Sequence, residues 1–246
     1  MRIYAIGDIH GQLAKLDDAH AAIRADRART GDRDAPVVHL GDLVDRGPDS
    51  RGVIDYLADG IARGEPWRVL KGNHDRMFSD FVEAAKQDTR LRAGLTYLHP
   101  NIGGLATLAS YGVHRGFLKR ERDLAERAAA AVPPSHLAFL ADLPLFYRAG
   151  ELLFVHAGIR PGVALDDQIE DDLVWIRDPF LDDTTDHGFL VVHGHTPVEK
   201  ATHFGNRVAL DTGAGFGGPV TAAVFEGRDA FVLENGERRA LEPVQG

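Results

Sequence analysis

The chain has 246 residues, 44% of them hydrophobic, with a formal charge of -9 and no cysteine. That apolar content supports a sizeable core, and one α/β domain spanning residues 1–246 is the expectation. The negative balance argues against coating nucleic acid or an anionic membrane, so an anionic ligand must be drawn by a local positive site. Without cysteine there are no disulfides, no thiol nucleophile and no thiolate metal ligands.

The start, MRIYAIGDIHG, lacks the long apolar core and small-residue cleavage site of a signal peptide. No apolar run approaches the ~18 residues of a membrane span, which points to a soluble cytoplasmic protein. Ile3 to Ile6 form a first predicted strand, after which Leu13, Leu16 and Ile23 recur with helical spacing. Val37 to Leu40 make a second strand, and Val53, Ile54, Leu57 and Ile61 a second helix. Trp67 to Leu70 make a third strand. This βαβαβ opening implies parallel strands with right-handed crossovers, whose ligands gather beyond the carboxyl ends. The charged run 24–34 reads as a solvated helix end and loop. Residues 76–140, with LAERAAAAV and NIGGLATLASYG, read as a mostly helical insertion beside the site. Strands then return at Leu152 to Val155, Phe189 to Val192, Val208 to Leu210, Val220 to Phe225 and Ala230 to Leu233. The last two, split by EGRD, form a hairpin.

Five of these strands are followed by a glycine-flanked polar loop: GDIHG, GDLVDRG, GNHD, HAG and HGHT. One such loop is an ordinary turn, but five at carboxyl ends are hard to reach by chance. Asp8 and His10, two apart on a segment read as extended, can point the same way and hold one ion. Carboxylate, imidazole and amide oxygen without sulfur suit manganese or iron, and zinc less exclusively. Two ions sharing a carboxylate would generate a hydroxide nucleophile and clamp an in-line displacement at phosphorus.

The ordered loops, running from residue 7 to residue 196, resemble the phosphoprotein phosphatase branch of the calcineurin-like metallophosphoesterases. They are similar above all to small bacterial and bacteriophage-type serine/threonine protein phosphatases and to symmetrical diadenosine tetraphosphate hydrolases. The resemblance implies a β-sandwich flanked by helices and two divalent ions, with manganese expected and iron or zinc possible. It implies that Asp8 and His10 hold the first ion, that Asp42 bridges, and that Asn73, His156 and His195 complete the second site. His74 matches the family's general acid, with Asp45 to orient it. Arg46 matches a bidentate phosphate ligand, and Arg177 in LVWIRDP a second one. With both ions present, these groups and a hydroxide leave about +3 at the centre of an acidic protein. His193 is read as structural or supporting, His39 as a packing histidine, Asp75 as a helix cap and Asp211 as structural. His20, His99, His114, His136, His187 and His203 have no ligand-like setting.

Asp45 before the motif arginine, and HGHTP, follow the protein phosphatases. GNHD follows the diadenosine enzymes, and NIGGLATLASYG is similar to a pattern in related nucleotide hydrolases. The balance favours a phosphoserine/phosphothreonine phosphatase acting by direct attack of a dimetal-bridging hydroxide. A dinucleoside polyphosphate or RNA-cap pyrophosphohydrolase is the alternative, and a non-catalytic binding protein on the same fold a second one. Expected partners are a phosphorylated protein or a nucleotide, with neither a membrane nor a nucleic-acid coat.

Overall fold

The computed structural model describes residues 1–32, 34–116 and 120–244. Arg33, in the charged run, and residues 117–119, in the predicted insertion, lie outside the described residues, as do 245–246. The expected opening is observed as β1 (Arg2–Ile6), α1 (Leu13–Thr30), β2 (Val37–His39), α2 (Ser50–Ala62) and β3 (Trp67–Val69). The insertion supplies α3 (Asn73–Ala84), α4 (Gly104–Ser110), α5 (Glu121–Ala131) and α6 (Pro134–Ala141), with an irregular stretch between α3 and α4. The second half contributes β4 (Phe146–Ala149), β5 (Leu152–Val155), α7 (Glu170–Trp175), β6 (Leu190–His193), β7 (Thr202–His203) and β8 (Arg207–Ala209). It closes with β9 (Ala222–Glu226), β10 (Asp229–Glu234) and β11 (Glu237–Ala240).

Two sheets result. One has the order β11-β10-β9-β1-β2-β3, the other β4-β5-β6-β8-β7. Strands β1, β2 and β3 are parallel, with Tyr4 opposite Val37 and Val37 opposite Trp67. Strands β5, β6 and β8 are also parallel, so loops of both halves leave from carboxyl ends.

Strand periodicity explains the layering. Successive side chains alternate faces, so Ile3, Ala5, Val38 and Leu40 meet Phe154, Val192, Val208 and Leu210 between the sheets. Their neighbours Tyr4, Ile6 and Val37 face the helices through Leu16, Ile23, Val53 and Leu57. Leu153, Val155 and Val191 pack outward on Leu173 and Phe180. Phe154 and Phe225 cross edge to face at 5.8 Å in the inter-sheet layer. Truncating either to alanine is expected to cost about 3–5 kcal/mol.

Helix limits follow local chemistry. The Asp49 carboxylate accepts the Gly52 amide at 2.8 Å to start α2, and Gly31, at φ 73°, ends α1 in a left-handed turn. The charged run is not wholly solvated as expected. Asp26 is buried and accepts hydrogen bonds from Tyr4 Oη at 2.8 Å and Arg238 Nη2 at 2.7 Å. Burial alone would raise its pKa, but the bonds from Arg238 and Tyr4 outweigh that and hold it at about 2. Strand β11 had no apolar signal because its ERRA residues lie mostly exposed at a sheet edge, where pairing to β10 decides the conformation. Among the described residues, no helix is long and apolar enough to cross a membrane.

Candidate active site

The five glycine-flanked loops converge at one end of the sandwich. His10, Asp42, Asp45, Arg46 and His195 all have positive φ, between 49° and 73°, although none is glycine. Left-handed backbone at non-glycine residues is costly and gathers where surrounding structure enforces it for a site. It also corrects the reason given above for pairing Asp8 with His10: the segment turns sharply at His10 instead of remaining extended. The glycines give these turns room. A Cβ on Gly72 would stand 2.2 Å from Asp42 Oδ1, and one on Gly194 would stand 1.9 Å from Asp8 Oδ1.

Two buried groups have the spacing of metal ligands, His10 with Asp42 and His74, and Asp42 with His156 and His195. Asp42 is common to both. His156 Nδ1 donates to Leu40 O at 2.8 Å, and His10 Nδ1 donates to Val44 O at 2.9 Å. Each donation leaves Nε2 as a bare lone pair on the neutral ring. Those lone pairs face the Asp42 carboxylate, His156 Nε2 at 3.3 Å from Oδ1 and His10 Nε2 at 3.6 Å from Oδ2. Burial pushes His10, His156 and His195 below the ordinary imidazole range, so ring protons do not bridge these gaps at neutral pH. Acceptor facing acceptor in a buried site is repulsive unless a cation lies between them. The donor set therefore fits divalent ions. Asn73 Oδ1, 2.9 Å from His156 Nε2 and 2.8 Å from His195 Nδ1, belongs to the second group. Asp8 belongs to neither group and accepts the His195 amide at 3.0 Å. Burial, then Asp211 and Asp42, push its carboxyl well above the carboxylate range.

His74 Nδ1 donates to Asp45 Oδ2 at 2.7 Å, which aims Nε2 at the cavity. The insertion holds this pair from behind. Asp45 Oδ1 accepts Tyr97 Oη at 2.8 Å and Thr107 Oγ1 at 2.7 Å. Sequence reading missed both residues, since their only signal was position within a segment read as a helical insertion beside the site. Arg46 directs its guanidinium at His10 Nε2 and His74 Nε2, which sets its positive charge against the metal-type groups. Its other face packs on the Phe216 ring at 4.5 Å.

Beside the metal-type groups lies a cavity of about 480 Å³. Arg46, Arg90, Arg92 and Arg177 line it, with Trp175, Ile102 and Phe216 as its apolar part. Among the described residues, none of these four arginines is paired with a carboxylate within 4.0 Å. Burial, then Arg92, depress the pKa of Arg177, and Asp42 and Asp178 oppose the shift only in part. Arg90 and Arg92 were missed because arginines on an irregular stretch carry no motif.

Residues 1–225 match the family model of the calcineurin-like phosphoesterases. The chain belongs to this family. It is 27% identical over 251 residues to the asymmetrical bis(5'-nucleosyl)-tetraphosphatase PrpE of Geobacillus thermodenitrificans, covering 90% of this chain and 89% of that protein. It is 28% identical over 234 residues to serine/threonine-protein phosphatase 1 of Salmonella typhimurium, covering 90% of each. Among solved structures, a cold-active protein-tyrosine phosphatase of a psychrophile Shewanella superposes with a TM-score of 0.61. That match is 18% identical and covers 98% of this chain and 80% of the other, and it supports the fold.

Other residues of this phosphoesterase fall into place around the site. His193 is buried on β6 with Nε2 toward Arg207 Nη1 at 3.3 Å, outside both metal-type groups. His39 packs in the core, its Nε2 3.0 Å from that of His20. Asp75 does more than cap α3. Its oxygens accept the Gly72 amide at 2.8 Å and the Leu43 amide at 2.9 Å, tying two site loops together. Asp211 accepts the Gly213 amide at 2.9 Å and steadies the loop bearing Phe216.

Proposed function

We propose that this phosphoesterase cleaves phosphoanhydride bonds in nucleoside polyphosphates of the dinucleoside tetraphosphate type. The observation that carries this reading is the set of four arginines without carboxylate partners in one cavity beside Asp42 and Asn73. A phosphomonoester needs one cationic grip, whereas a polyphosphate chain presents a negative charge at each phosphate. Trp175 and the exposed Phe216 offer flat apolar surface for a nucleobase. Similarity to a bis(5'-nucleosyl)-tetraphosphatase along nine-tenths of the chain agrees with it.

Asp8, His10, Asp42, Asn73, His156 and His195 would hold two divalent ions, with manganese the best match to an imidazole and oxygen donor set. When bound, such ions supply Lewis-acid charge to phosphate oxygens and favour ionisation of an attacking water. The chain's own residues do the remaining work. Arg46 and Arg177 grip the scissile phosphate through charge-assisted hydrogen bonds. Arg46 lies against His10 Nε2, the atom that would hold an ion, and its fork faces the same cavity. His74, oriented through Nδ1 by Asp45, presents Nε2 to the leaving oxygen and gives it a proton.

A phosphoserine/phosphothreonine phosphatase is the second reading, and the His74–Asp45 pair favours it. A serine alkoxide is a far poorer leaving group than a nucleotide phosphate and depends more on an acid. Similarity to a serine/threonine-protein phosphatase also agrees with that reading. The deciding experiment compares kcat/KM for diadenosine tetraphosphate, a phosphoserine peptide and capped RNA on one manganese-loaded preparation. A preference for the peptide would overturn the polyphosphate reading.

A further inference from the structure

The two cavity arginines from the insertion are exposed, and long side chains on an irregular loop lose their grip if the loop wanders. One buried carboxylate prevents that. Asp88 is 7% exposed, and its Oδ2 accepts Arg76 Nε at 2.9 Å and Trp175 Nε1 at 3.2 Å. Its Oδ1 accepts the backbone amide of Arg90 at 2.8 Å. Arg76 lies on α3 two residues after His74, and its Nη1 reaches Asp171 on α7 at 2.7 Å. A single side chain thus joins three segments: the helix that opens with Asn73 and His74, the loop with Arg90 and Arg92, and the helix end that precedes Arg177.

We propose that Asp88 is a positioning residue that builds a polyanion subsite, setting Arg90 and Arg92 at a fixed distance from the hydrolytic groups. The inference rests on the reading of the cavity as a polyphosphate site. The ligand class is an anion with at least one phosphate beyond the scissile one. A monoester with an uncharged leaving group reaches Arg46 and Arg177 but has nothing to offer this subsite. Binding of longer anions therefore depends on Asp88, while turnover of small monoesters does not. Asparagine at position 88 keeps the shape and one acceptor oxygen but loses the charge that orders Arg76 and the indole.

The test measures inorganic tripolyphosphate and orthophosphate as competitive inhibitors of p-nitrophenyl phosphate turnover, which separates this inference from the identity of the natural substrate. Wild-type protein is expected to bind tripolyphosphate at least about tenfold more tightly than orthophosphate. Asp88→Asn and the exposed double variant Arg90→Ala/Arg92→Ala should each remove most of that advantage. Asp88→Asn should leave kcat and KM for p-nitrophenyl phosphate within about threefold. Combining all three changes should add little, because they act through one subsite. If Asp88→Asn misfolds, Trp175→Phe removes one of its hydrogen bonds, keeps an aromatic ring, and is expected to lower the tripolyphosphate-to-orthophosphate preference. Equal loss for tripolyphosphate and p-nitrophenyl phosphate would reduce Asp88 to a structural role and sink the proposal. No tripolyphosphate preference in wild type would sink it too. A preference for phosphopeptide over diadenosine tetraphosphate, with tripolyphosphate selectivity intact, overturns only the substrate reading and supports the subsite.

Discussion

Asp45 and His74 form a buried pair at 2.7 Å, and the second oxygen of Asp45 is occupied by Tyr97 and Thr107 from the insertion. The proposed acid is thus oriented by a carboxylate that is itself fixed, and its ring cannot turn without breaking the bond to Asp45. His74→Asn should lower kcat on alkyl phosphates by about 10²–10⁴-fold and on aryl phosphates far less, since aryl leaving groups need little protonation. Parallel loss on both substrates, measured by steady-state kinetics, would remove His74 as the acid.

Tyr97→Phe takes one of two hydroxyl donors from Asp45 Oδ1 without changing the ring. The cost expected is about 1–3 kcal/mol of stability for a buried acceptor left short of a partner. Catalysis should fall less than tenfold while Thr107 remains. Chemical denaturation and kcat on the same samples check this, and a kcat loss as large as that of Asp45→Ala would show that Tyr97 acts directly.

Gly194→Ala tests how closely the loops approach. Its backbone is not left-handed, but a Cβ would press on Asp8 Oδ1 at 1.9 Å. The carboxylate must shift, so bound metal should fall below that of wild type by elemental analysis of dialysed protein. Unchanged metal content would mean that Asp8 contributes nothing to holding an ion.

Metal removal should have a pH-dependent consequence. Asp8 in the folded, metal-free chain has its pKa raised above the unfolded value by burial and neighbouring carboxylates. Its stability contribution is therefore complete below about pH 4 and is lost as pH rises through the folded value. Metal binds the ionised form and reverses the loss. The gap in melting temperature between manganese-loaded and stripped protein should widen from pH 5 to pH 8. A gap that is constant or narrows would contradict the assignment, as would full activity after rigorous chelation.

The chain itself made most of the strands and the chemistry of the loops after them legible. Strands such as Val37 to Leu40 and Leu152 to Val155 are apolar on both faces and so must lie between two layers, which makes them legible as buried parallel strands. The loops after them carry their chemistry in consecutive letters, and GDLVDRG holds Asp42, Asp45 and Arg46 within five residues. What only the tertiary structure decided is the company those letters keep. Thr107 and Tyr97 reach Asp45 across 62 and 52 positions, and Trp175 reaches Asp88 across 87. Such contacts leave no periodicity or spacing, because they depend on how helices of the insertion pack against the site. The cavity arginines are the clearest case. Arg90 and Arg92 look like solvated charge in a polar stretch, and they gain a role only when Asp88 folds that stretch against α3 and α7.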